Sequence, residues 1–220
     1  MTKHIIVYSH GFGVDKTDRG LFTDIAATLP NTEPVMFDYN VADIPHKTIT
    51  VSSLREQSKM FTEVMHKVRS ENPSATIDLV CHSMGCVAAA IAHPENVRRV
   101  VFLAPPDNVG VDRFKEIFNR PGAEVNLGGL SKLTRMDGST TLVPKEFWDS
   151  LQPLNVLKLY DALSQLAELT IISADEDEVV GPTDFTKTNE NIKLINLRAD
   201  HNFTGESRAK LCELLKGLLG

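Results

Sequence analysis

One segment, Leu79 to Ala92 (LVCHSMGCVAAAIA), holds the residues best suited to chemistry. A strand pattern runs into Cys81-His82-Ser83-Met84-Gly85, and a helix of small residues follows at once. That strand, tight turn and helix is the setting that lifts a serine hydroxyl off a sheet as a nucleophile. The residues two places either side of the serine must be small there, because strand and helix nearly touch. Gly85 meets that demand, whereas Cys81 stands where glycine is usual. The helix start behind Ser83 leaves amide N–H groups unpaired, so the Met84 amide is a candidate oxyanion donor. A serine in this position also serves as a simple helix cap; the order of the elements favours the nucleophile.

A serine hydroxyl is too weakly acidic to attack unaided at neutral pH. It needs a histidine base, and the histidine needs a carboxylate to fix its tautomer and stabilise its charge. On such a sheet the chain order is serine, then acid, then histidine, and only His93 and His201 follow Ser83. His93 ends the helix that begins at Ser83, roughly a dozen ångströms away at about 1.5 Å rise per residue, which excludes it. His201 follows the last strand, at the sheet edge where such a base belongs. Four carboxylates, Asp175, Glu176, Asp177 and Glu178, crowd the turn after the strand LTIISA. Asp177 is the first choice for the acid and Asp175 the second; Asp200 reads as a turn residue. Ser9-His10-Gly11-Phe12-Gly13 follows the first strand, and its Phe12 amide is the candidate second oxyanion donor, with His10 bracing the turn. Phe12, Met84, Phe147 and Trp148 are candidate apolar walls for a substrate. For Phe147 and Trp148, burial of an inserted segment against the sheet accounts for their character equally well.

The elements that must position these residues follow from periodicity. Apolar runs at 4–9, 76–81, 98–104, 169–174 and 192–197 read as buried strands, with a short strand at 35–38. Apolar residues at helical spacing (Leu54, Phe61, Val64, Met65, Val68; Leu211, Leu214, Leu215, Leu218) alternate with them. Strands alternating with helices imply a doubly wound, mostly parallel α/β sheet of six strands, whose chemistry sits beyond the strands' C-terminal ends. Residues 107–167 break the rhythm. They show no clear buried strand, a glycine-rich piece, a turn at Asp137-Gly138 and two helices near 145–151 and 154–167. The expectation is one domain with its core in 1–106 and 168–220 and a cap or lid in 107–167.

Composition narrows the partners. The 220 residues carry 23 Lys and Arg against 29 Asp and Glu, a formal charge of −6, so no nucleic-acid partner is expected. No apolar run approaches the roughly 18 residues of a membrane span, and the N-terminus lacks a secretory pattern. Cys81, Cys86 and Cys212 form an odd set without metal-type spacing. They read as inert reduced thiols in a cytoplasmic setting. No metal or cofactor is called for.

The four pieces His10-Gly11-Phe12-Gly13, Cys81-His82-Ser83-Met84-Gly85, Asp177-Glu178-Val179-Val180-Gly181-Pro182 and Ala199-Asp200-His201-Asn202-Phe203 carry a pattern. Through them the chain resembles the α/β-hydrolase superfamily over nearly its whole length. The resemblance implies a Ser83-Asp177-His201 triad, since the family's acid usually precedes a Val-Val-like pair and a proline. It also implies a compact member that starts at the family's third strand. The HGF turn and the insertion are similar to small carboxylesterases, including cinnamoyl or feruloyl esterases and monoacylglycerol lipases. The expected activity is hydrolysis of a small carboxylic ester through an acyl-enzyme. Thioesterase, amidase or peptidase chemistry uses the same triad, and a non-catalytic binding module on this scaffold is the reading from another class. A serine nucleophile argues against dehalogenase and epoxide-hydrolase chemistry, which in this family resembles an aspartate-based mechanism.

Overall fold

The computed structural model describes residues 2–118, 121–135, 138–151 and 154–220. Asp137 of the expected turn lies outside them. The main sheet is built from β1 (His4–Ser9), β2 (Glu33–Met36), β5 (Thr76–His82), β6 (Arg99–Leu103), β10 (Glu168–Ala174) and β11 (Lys193–Leu197). Its spatial order is β11-β10-β6-β5-β1-β2, and every pair is parallel. This is the six-stranded, doubly wound α/β sheet that the alternation of apolar runs and helices implies.

The sheet is buried on both faces, which is why its strands read as continuous apolar runs rather than alternating ones. Along β1 the side chains divide between two cores. Ile5 and Val7 join one and Ile6 and Tyr8 the other. The first core is closed by α2 (Leu54–Glu71), α3 (Met84–Ala92) and α6 (Val156–Ser164), the second by α1 (Leu21–Ala27) and α7 (Glu206–Leu219). The start of α2 is set by a capping box: the Glu56 amide donates to Ser53 Oγ and the Ser53 amide to Glu56 Oε2.

A second sheet corrects the expectation of a strand-free stretch in 107–167. It runs β3-β4-β9-β8-β7, from β3 (Val41–Asp43), β4 (Thr48–Thr50), β7 (Ala123–Glu124), β8 (Ser131–Thr134) and β9 (Thr140–Val143). These strands escape a search for apolar runs because they alternate. Ser131 and Leu133 are buried on β8, as are Thr141 and Val143 on β9, and half of those positions are hydroxyl residues. The parallel pairing of β4 with β9 joins segments some 90 residues apart, from Thr48↔Thr140 to Thr50↔Leu142. Local pattern carries no trace of such a contact. The two helices expected here are present as α5 (Lys145–Ser150) and α6, preceded by α4 (Val111–Ile117).

Among the glycines, the tightest packing is at Gly85, where α3 starts against β1. A Cβ added to Gly85 would stand 2.2 Å from the Ser9 carbonyl oxygen and 2.6 Å from that of His10. Gly217, on α7, has nothing within 4 Å of the same position. Gly85→Ala therefore forces strand and helix apart and is expected to lower Tm by about 3–10 °C, from an overpacking cost of ~1–3 kcal/mol. Gly217→Ala, which gains helix propensity, is expected to raise Tm slightly. Thermal denaturation followed by circular dichroism checks both, and equal effects at the two positions would refute the packing argument.

Candidate active site

Ser83 caps α3 with φ 51° and ψ −124°, a backbone conformation that a side-chain-bearing residue rarely adopts. The surroundings hold it there. Its amide donates to the Leu103 carbonyl at 2.9 Å, and the Cys86 amide donates back to the Ser83 carbonyl at 3.0 Å. Ser9 Oγ bonds the Gly85 carbonyl at 2.8 Å and the Tyr39 hydroxyl at 2.7 Å, which ties the turn to β1. Cys81, where glycine is usual, is fully buried in the core shared with α3, and its carbonyl accepts the Cys86 thiol at 3.3 Å. Burial pushes both thiols far above the ordinary range, so neither is poised as a nucleophile.

The structure brings the three residues singled out for acyl transfer into one line. His201 Nε2 lies 3.1 Å from Ser83 Oγ, and His201 Nδ1 lies 2.7 Å from Asp177 Oδ2. Asp177 is placed by its own loop: the Val179 and Val180 amides donate to its Oδ1 at 2.9 and 2.7 Å. Burial alone would raise this carboxyl, but the His201 ring and the two amides outweigh it and hold it below the usual carboxylate range. Asp175, the second choice, is exposed and continues the sheet through its amide to the Leu197 carbonyl. Asp200 is the turn residue expected: its carboxylate accepts from the Thr204 amide and hydroxyl, and its carbonyl from the Phe203 amide. His93 ends α3 in the left-handed region, away from the site.

Gly11, Phe12, Ser83, Met84 and His201 line one cavity of about 590 Å³. Met84 is the first helical residue of α3, so its amide has no partner within the helix. Gly11 lets the first loop press on Ser83: a Cβ there would be 3.2 Å from Ser83 Cβ. His10 braces this loop as expected. Its Nδ1 bonds the Gly11 carbonyl at 2.9 Å, and its Nε2 accepts the Tyr39 amide at 3.0 Å. Burial lowers the ring's pKa, the Gly11 hydrogen bond opposing it, and the accepting Nε2 fits a neutral imidazole.

Phe147 and Trp148 require correction as substrate contacts. Both are buried and neither lines the cavity. Phe147 packs behind Phe12 and Phe114, with ring centroids 5.1 and 5.3 Å apart. Trp148 donates its indole N–H to Ser131 Oγ at 3.0 Å. They lie on successive positions of a short helix whose buried face closes the second sheet, and the rings that reach the cavity are Phe12 and Phe114.

Four residues to which the sequence assigned no place at the site lie against it. Arg113 of α4 bonds the Val180 carbonyl in the loop that carries Asp177. Glu178 Oε2 accepts the His201 amide at 3.1 Å. Asp18 and His82 form a buried pair, Oδ2 to Nδ1 at 2.7 Å, directly beside Ser83. The one available signal was His82 itself, a polar residue at the end of a buried strand; nothing in the sequence marks Asp18 as its partner.

The sequence matches no family model and no curated protein. Its structure is similar to solved ones along nearly its full length. Est1E from Butyrivibrio proteoclasticus, solved with ferulic acid bound, superposes with a TM-score of 0.77 at 15% identity, covering 99% of this chain and 88% of that one. The α/β hydrolase GrgF from Penicillium sp. sh18 gives 0.70 at 17% identity, covering 99% and 90%. The esterase domain of a Rhodothermus marinus protein gives 0.69 at 15% identity, covering 99% and 87%. The chain adopts the α/β-hydrolase fold.

The placement of Trp148 behind the cavity has a measurable consequence. Trp148→Phe removes its hydrogen bond to Ser131 and is expected to lower Tm by about 2–6 °C, from a cost of ~1–1.5 kcal/mol. The rate at which a fluorophosphonate modifies Ser83 should stay unchanged. A slowed modification at unchanged Tm would return Trp148 to the cavity wall.

Proposed function

We propose that this chain is a serine hydrolase that cleaves small carboxylic esters through an acyl-enzyme, with Ser83 as nucleophile, His201 as base and Asp177 as the acid that orients it. The observation that carries the reading is the unbroken line from Asp177 Oδ2 through both nitrogens of His201 to Ser83 Oγ, opening on the cavity. His201 Nδ1–H donates to Asp177, which leaves Nε2 to take the Ser83 proton. Ser83 Oγ then attacks the ester carbonyl. The charge that develops on the carbonyl oxygen faces the Phe12 and Met84 amides, each such donor contributing roughly 10²–10³ in rate. His201 passes its proton to the leaving alcohol, and water, deprotonated by the same ring, releases the acyl group.

Residues 107–167 act as a cap in this reading. The support is that Phe114, Leu133 and Arg135 from that segment line the same cavity as Ser83. Phe12 and Phe114, in edge contact with centroids 5.5 Å apart, offer an aromatic wall for the acyl or alcohol group. The ferulic acid bound to Est1E makes an aromatic acyl group worth including among test substrates.

A fluorophosphonate probe tests the reading directly. The wild-type protein should label and Ser83→Ala should not. Against p-nitrophenyl esters of rising acyl length, an aryl ester and an amide, Ser83→Ala and His201→Ala should each lose about 10⁴–10⁶ in kcat. Equal labelling of Ser83→Ala, or no labelling of folded wild type, overturns the proposal.

A further inference from the structure

The buried pair beside the nucleophile has no role in the acyl-transfer scheme. His82 is the last residue of β5 and only 2% exposed, yet both its ring nitrogens face acceptors. Nδ1 lies 2.7 Å from Asp18 Oδ2 and Nε2 lies 2.9 Å from the His201 carbonyl oxygen. A carbonyl has no proton to give, so Nε2 carries a hydrogen. A second hydrogen is shared between Nδ1 and Asp18 Oδ2. That oxygen also accepts the Gly11 amide at 2.9 Å, which favours a carboxylate facing an imidazolium. The energetics agree in direction. Burial would raise the Asp18 carboxyl, but His82 and the Gly11 amide hold it down to about 2. Burial would lower the His82 pKa, but Asp18 outweighs it and raises it.

The connectivity of this link is its main feature. Gly11 belongs to the loop that carries the Phe12 amide, His82 precedes Ser83, and the carbonyl that accepts from His82 belongs to the proposed base. Three loops from three places in the chain are therefore fastened to one another through two side chains. The packing leaves little slack: a Cβ on Gly11 would lie 3.2 Å from Ser83 Cβ and 3.4 Å from His82 Nδ1, and the His82 and His201 rings sit 4.9 Å apart. Asp18 itself takes a left-handed backbone, φ 48°, to reach the site.

We propose that Asp18 and His82 are a positioning pair, a buried proton-sharing link that sets the oxyanion loop and the base loop at their distances from Ser83. Its catalytic consequence rests on the hydrolase reading, whereas the link itself does not. The titratable groups facing it are His10 from its own loop, Asp177 and Glu178 from the loop after β10, His201 from the loop after β11 and the Cys86 thiol of α3.

Asp18→Asn keeps the shape and an acceptor oxygen but removes the charge that holds the imidazolium. In that variant a buried His82 gives up its proton as pH rises, and one of its two hydrogen bonds goes with it. With p-nitrophenyl acetate, Asp18→Asn should lose roughly 10²-fold in kcat at about pH 8–9 with little change in KM, as for a misaligned centre. The loss should shrink as pH falls and His82 regains its proton, at a pH below the ordinary imidazole range because burial opposes the charge. His82→Gln should lose kcat at every pH. An Asp18→Asn loss that is uniform with pH, or a kcat near wild type throughout, overturns the proposal. Nitrogen-15 NMR of the histidine rings in Ser83→Ala supplies a readout without activity. His82 should be protonated at both nitrogens from about pH 5 to 9 and should titrate in Ser83→Ala/Asp18→Asn. A neutral His82 in Ser83→Ala overturns the link even if Asp18→Asn fails to fold. Failure of wild type to react with a fluorophosphonate would sink the hydrolase reading alone.

Discussion

Strand β1 and helix α3 meet at Gly85 with no room for a methyl group, and the rest of the site depends on that contact. A helix pressed this close behind a sheet must begin at once where β5 ends, so the chain has a single residue in which to turn. Ser83 is that residue and takes the left-handed strain of the turn. The strain is sustained because both of its backbone groups are bonded and because Ser9 clamps the Gly85 carbonyl. The same closeness aims the unpaired start of α3 at the cavity and leaves the Ser83 hydroxyl at its floor.

Around this fixed point the remaining polar groups arrive on loops, and each loop is held by buried hydrogen bonds rather than by regular structure. Asp177 is gripped by two amides of its own turn, and that turn is tied to α4 by Arg113. His201 is gripped at its amide by Glu178 and at its carbonyl by His82. The first loop is gripped by His10 from one side and Asp18 from the other. Low local dielectric makes these bonds strong when complete and costly when broken. A network of this kind gives the loops at the sheet edge a rigidity that their lack of ladder hydrogen bonds would otherwise deny them.

The second sheet changes how the insertion relates to the core. It is not assembled from 107–167 alone, because β3 and β4 come from the connection between β2 and α2. The wall opposite Ser83 thus joins two stretches of chain, and Leu133 and Arg135 reach the cavity from the end of β8. Phe147 and Trp148 hold this wall together from behind, their bulk spent on the seam between α5 and the second sheet.

Periodicity alone placed the six strands of the main sheet and the helices between them, since buried parallel strands appear as unbroken apolar runs and their helices as apolar stripes. Chain order alone narrowed the candidate base to His201, because it is the one histidine after Ser83 not carried away by α3. The acidic turn offered Asp177 first and Asp175 second, and the fold turns Asp177 toward His201 and leaves Asp175 exposed. What no local pattern held was the pairing of β4 with β9 and the meeting of Asp18 with His82. Each is a contact between segments distant in the chain and made by residues whose types are ordinary in loops and on surfaces. A sequence records which groups are available to bury and bond. Which of them meet is settled when the sheet and its two layers of helices bring the loops to one edge.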